Sequence, residues 1–163
     1  PIEPDPATVR ERLRAARDRL GMWDALVTPA ETDVYLSGKD ARGIAHKLVE
    51  TDTGAVPSLV FAGKPPAQGV WEPQSVRLVA AAKALSWERE RPVEQTFVEY
   101  PAYGVIREVE VTARRCGQYR RALRIAESID GPPARTDNDA KCEPCEYREQ
   151  CGVRTRSLRS LLP

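Results

Sequence analysis

An excess of charge of either sign is missing from this sequence: 25 Lys and Arg face 24 Asp and Glu, for a formal charge of +1. No overall field argues for a nucleic-acid partner, so any basic surface must be local. Long apolar runs are missing too. The densest, Val76 to Leu85, is interrupted by Arg77 and Lys83 and falls well short of the roughly 20 residues that a bilayer span needs. We therefore expect a soluble chain with no membrane partner. No charged leader followed by an apolar stretch and a small-residue cleavage site opens the sequence, which points to a cytoplasmic location. The first residue is Pro1 and not Met, and we expect a fragment or a processed chain. There is no internal repeat.

Cysteine is scarce and unevenly placed. Of four, three crowd into Cys142, Cys145 and Cys151, with Cys116 far upstream. That clustering argues against a pair of disulfides and for metal in a reducing compartment. The spacing is C-x2-C-x5-C, and a tight turn between the first two brings their sulfurs to one side. Thiolates so arranged serve zinc or an iron-sulfur cluster, both of which normally take four ligands. Cys116 is the default fourth and the lone His46 a weaker one.

At 163 residues the chain fits one compact domain with appendages. Asp5 and Pro6 suit the start of a helix, and Val9, Leu13, Ala16 and Leu20 recur at helical spacing, predicting a helix over 6–20 that ends at Gly21. Its Arg10, Arg14 and Arg17 read as a solvated face. Val34 to Leu36 and Ile44 to Glu50 read as strands. The turn signal Asp52-Thr53-Gly54 precedes a further apolar strand, Val56 to Phe61. Gly63 to Pro73 reads as a loop and Val76 to Trp87 as a buried helix. Thr96 to Tyr100 and Val105 to Val111 give two more strands around a turn at Pro101 to Gly104. Cys116 to Ile129 forms a last helix and 130–140 a polar linker. The expectation is a mixed α/β domain in three parts: a helical segment at 1–33, a core at 34–130 and a cysteine tail at 131–163. Arg114, Arg115, Arg120, Arg121 and Arg124, on or beside the last helix, are available for phosphate contact, or for a solvated face.

The tail, taken with the stretch Ala55-Val56-Pro57-Ser58-Leu59-Val60-Phe61-Ala62-Gly63-Lys64-Pro65-Pro66 and with Trp71 to Leu78, resembles the Cas-four family of CRISPR-associated RecB-like exonucleases. The resemblance covers about residues 34 to 155. It implies a RecB-like PD-(D/E)XK core, a mixed sheet flanked by helices, with a C-terminal cysteine cluster that helps hold a 4Fe-4S cluster. It also implies DNA and the proteins of CRISPR adaptation as partners. The family's fourth cluster cysteine lies before the core, where this chain has none. Cys116 substitutes, or the ligand sits on a missing segment, or the cluster is incomplete or replaced by zinc.

At the positions that cut DNA in the family, the sequence departs from it. The family's metal-binding aspartate falls on Lys47 or Leu48, depending on a one-residue gap. Its acidic residue and lysine fall on Leu59 and Phe61, and its glutamine on Arg77. Phosphodiester cleavage there needs carboxylate oxygens around Mg²⁺ or Mn²⁺ and a lysine to steady developing charge. Leu and Phe supply neither, so we expect a degenerate site without catalytic Mg or Mn, acting by binding. Two rivals stand beside this: an active nuclease with a site relocated onto Glu50, Asp52, Lys64 and Glu72, and a metal-stabilised protein-interaction module.

Overall fold

A computed structural model describes residues 4–19, 21, 23–131, 142–143, 145–148 and 150–151. The chain divides into two units, residues 1–123 and 124–163. The first unit carries the fold, an α/β arrangement built on a five-stranded mixed sheet.

Helix α1, Pro6–Arg17, begins as its sequence predicts: the Asp5 carboxylate accepts from the N–H groups of Ala7 and Thr8, and proline occupies the first turn. It stops three residues short of the expected end, on Asp18. A five-residue helix, α2 (Trp23–Val27), follows without having been anticipated; it buries Leu26. Strand β1 (Glu31–Ser37) is longer than its apolar centre suggests, and β2 (Arg42–Val49) and β3 (Val56–Val60) complete an antiparallel meander with it. The β2–β3 turn closes through reciprocal backbone bonds between Thr51 and Gly54. Gly54 sits at φ 99° there, a conformation that only glycine takes without strain.

Helix α3 (Glu72–Glu88) starts within the segment expected to be a loop. Pro73 lies in its first turn, where a missing N–H costs nothing because no intrahelical acceptor waits for it. The helix crosses over the sheet and returns the chain to β4 (Gln95–Tyr100), which pairs with β3 in parallel. A parallel neighbour requires such a crossover connection. A 3-10 turn at Pro101–Tyr103 and Gly104 (φ 59°) then reverses into β5 (Val105–Glu110), antiparallel to β4. The strand order is β1-β2-β3-β4-β5.

The core lies between α3 and the sheet. Leu78, Val79, Ala82 and Leu85 of α3 are buried, as are Leu48, Leu59, Val98 and Tyr100 of the central strands. Full burial of such side chains stabilises by about 1.5–3 kcal/mol each before conformational entropy is counted. Helix α4 (Ala113–Glu127) buries Tyr119. It starts three residues before the expected Cys116, and Thr112 caps it, with its hydroxyl accepting from the Arg115 N–H at 3.4 Å. Among the described residues no helix is long and apolar enough to cross a membrane. The expected linker at 130–140 lies largely outside the described residues.

Candidate functional site

Strand alternation decides which side chains can meet. Lys47 of β2 pairs directly with Ser58 of β3, and Leu48 with Pro57; directly opposed residues share a face and neighbours along a strand do not. Lys47 and Ser58 therefore lie on one face, and Leu48 and Leu59 on the other. Phe61, two residues beyond Leu59, follows it. The structure thus separates the two residues that alignment left open. Leu48, fully buried, shares the face of Leu59 and Phe61. Lys47 points away from them.

On the α3 face the matched positions form an apolar plug. Leu59 is 2% exposed, and it lines a shallow cleft of about 140 Å³ with Arg77, Ala45 and the alanines of α3. The Arg77 guanidinium lies over the Phe61 ring, 4.9 Å from its centroid. The Tyr100 ring stands 6.2 Å from Phe61 on another side. An aromatic ring held between a cation and a second ring has its attractive surfaces occupied. Tyr100 is itself fixed, since its hydroxyl donates to Gln74 Oε1 of α3, and burial pushes its pKa up, the nearby Arg107 opposing this.

His46, considered above as a metal ligand, has another role. The β2 pairing skips it on both sides: the β1 register passes from Thr32↔Lys47 to Val34↔Ala45, and the β3 pairs begin at Lys47. Its Nδ1 accepts from the Val60 N–H at 3.2 Å. The imidazole thus takes the place of a ladder carbonyl where β2 and β3 separate.

The opposite face is polar and closed. Glu99 of β4 is 5% exposed; its Oε2 receives Lys47 Nζ at 2.8 Å and its Oε1 the Ser58 hydroxyl at 2.5 Å. Lys47 also donates to the Leu26 carbonyl at 2.9 Å, tying α2 to the sheet. A buried charge persists only when paired and hydrogen-bonded, and both oxygens of Glu99 are engaged. No local pattern signals this cluster, because its members are 41 and 52 residues apart.

The residues of a relocated site do not converge. Glu50 and Asp52 sit at the β2–β3 turn, before β3 begins, whereas Lys64 and Glu72 come after its end. All four are exposed.

The arginines of α4 divide by helical position. Arg114, Arg120, Arg121 and Arg124 are exposed; Arg115 is half-buried and donates to the Glu110 carbonyl at 2.8 Å. Spacings of seven and three residues from Arg114 to Arg121 and Arg124 put these three on one stripe of the helix. Arg120 borders it.

Cys116 lies on α4 in the first unit and the cysteine triplet lies in the second. A turn is present between the first two of the triplet, with the Cys145 N–H donating to the Cys142 carbonyl at 3.3 Å. Among the described residues, however, no three His, Cys, Asp or Glu are gathered as a metal ion requires. Pro144 lies outside the described residues. No protein-family profile matches the chain, and no curated protein matches it.

Proposed function

We propose that this protein is a nuclease-like domain of the kind that the Cas-four resemblance implies, which binds nucleic acid without cutting it. The observation that carries the reading is the packing of Leu59 and Phe61. Where the resemblance calls for a carboxylate and a lysine, one side chain is 2% exposed and the other lies under a guanidinium. A divalent cation held for phosphodiester cleavage needs oxygen ligands in one place. Glu99 is the one buried carboxylate among the described residues; it is on the opposite face and is neutralised by Lys47.

Binding is assigned to the arginine stripe of α4. Exposed guanidiniums along a helix contact phosphates without reading sequence, and their contribution falls steeply with salt. The cysteine triplet, with iron-sulfur or zinc, belongs to this reading as its metal centre, and CRISPR adaptation proteins as its partners. The test is retention of a labelled DNA strand at rising salt, by the unaltered chain and by Arg114→Glu/Arg121→Glu. Charge reversal should abolish retention at low salt. Equal retention by both would place binding elsewhere.

A further inference from the structure

A second recess, of about 450 Å³, opens between the starts of α3 and α4, within the size range of small-molecule sites, roughly 300–1,000 Å³. We propose that it binds a phosphomonoester, a phosphate joined to its carrier through one oxygen only. The inference goes beyond the α4 stripe: the recess shares Arg114 with the stripe and adds Ser75, Thr112 and Arg115.

Four features argue for it. Thr112, Arg114 and Arg115 line the recess at the beginning of α4, a 15-residue helix whose N-terminal end carries positive partial charge and attracts anions. Arg114 is exposed and, among the described residues, makes no salt bridge. Arg115 is held in place by the Glu110 carbonyl through one nitrogen, which leaves the rest of its donor fork for a ligand. The fourth feature is independent of the helix end. Ser75, 4% exposed, stands on the wall formed by α3, and its hydroxyl is the one buried side-chain polar atom without a partner among the described residues. Native interiors rarely leave such a group unpaired, and each calls for an explanation. A hydroxyl can rotate its proton toward an incoming oxygen. Donors from two helices suit a group with three terminal oxygens better than a diester with two.

The far wall of the recess is held in shape. Arg107 donates to the carbonyls of Pro66, Ala67 and Gly69, fixing the loop that brings Gln68 and Gly69 to the rim. Glu72 also lines the recess and opposes an anion there. It supplies a test of sign, since removing its charge should tighten phosphate binding while removing a donor should weaken it.

The experiment measures the melting midpoint and ³¹P line width with inorganic phosphate, against chloride at equal ionic strength. Retention of strands that carry or lack a terminal phosphate, at either end, is compared alongside. Phosphate should raise the midpoint by mass action on the folded state. Ser75→Ala and Arg114→Gln should each weaken phosphate binding about tenfold, the scale of one hydrogen bond to a charged group. Glu72→Gln should strengthen it. Ser75→Ala is expected to fold normally, because the hydroxyl it removes has no partner. Preference for a phosphorylated strand end identifies a nucleic-acid end as the source, and phosphate binding without that preference identifies a free phosphate or small ester. No phosphate-dependent shift in the unaltered chain, or the same shift in all three variants, would overturn the site. Loss of strand retention with phosphate binding intact would instead overturn the role of the α4 stripe.

Discussion

The two faces of the sheet, a few ångströms apart across β2, β3 and β4, solve opposite problems with adjacent residues. One face buries a serine and a glutamate, holds a half-buried lysine beside them, and satisfies all three with one another. The other carries Leu48, Leu59 and Phe61 under α3 and seals them with Arg77 and Tyr100. Charge is kept inside this fold only where it is paired and hydrogen-bonded. The carboxylate that survives burial is fully engaged, and the face under α3 is apolar. Both faces are closed, one by ion pairing and the other by packing, and each can be opened by a single substitution.

The polar face should give one of the two largest effects. Glu99→Ala leaves Lys47 without its counter-ion and Ser58 without its acceptor, and because Lys47 is half-buried the cost should lie at the low end of that for breaking a buried pair, about 3 kcal/mol. Denaturant midpoints should fall accordingly, and the double variant Glu99→Ala/Lys47→Met should recover part of the loss. A neutral Glu99→Ala would mean that water reaches this pair freely.

On the apolar face, Phe61→Lys removes a packed ring and sets a second cation beside Arg77. We expect a loss of roughly 3 kcal/mol, on the scale of emptying an aromatic site or burying an unpaired charge. A thermally neutral variant would show that this face is open to solvent. Arg77→Ala should cost less, about 1 kcal/mol, because the stacked guanidinium is exposed and such contacts are weak there.

The smallest effect is a pH dependence. Burial raises the pKa of Tyr100 and of Tyr119 above the ordinary 10.0, with Asp40 adding to the rise at Tyr119. A raised folded-state pKa means that the stability is fully present below about pH 10 and is lost as pH climbs through the folded value. Thermal scans should fall above pH 10, and Tyr100→Phe should flatten part of that fall. Its failure to do so would place the alkaline sensitivity elsewhere.

Much of this fold was legible in the residues, and the face assignment was not. Short apolar segments bounded by turns located β2 to β5, and the Asp5-Pro6 pair located the start of α1. The beginning of β1 was missed because Glu31, Thr32 and Asp33 are exposed and carry no burial signal. The start of α3 was missed because Pro73 reads as a breaker, although a first turn accepts it. Helix α2 is too short to show a period. The choice between Lys47 and Leu48 could not be made locally, since a one-residue shift in register exchanges the faces and the register is fixed by pairing with β3. Glu99 escaped notice as a partner of Lys47 for a related reason: only the fold brings them together. Leu59 and Phe61 were legible as buried because they lie in a short apolar run that follows a turn.

Binding without cleavage is decided by incubating highly purified protein with labelled DNA in Mg²⁺ or Mn²⁺, at protein concentrations where the strand is retained. The strand should stay retained and intact. Cleavage that Glu50→Gln or Glu72→Gln abolishes would contradict it and establish a working site outside the packed face.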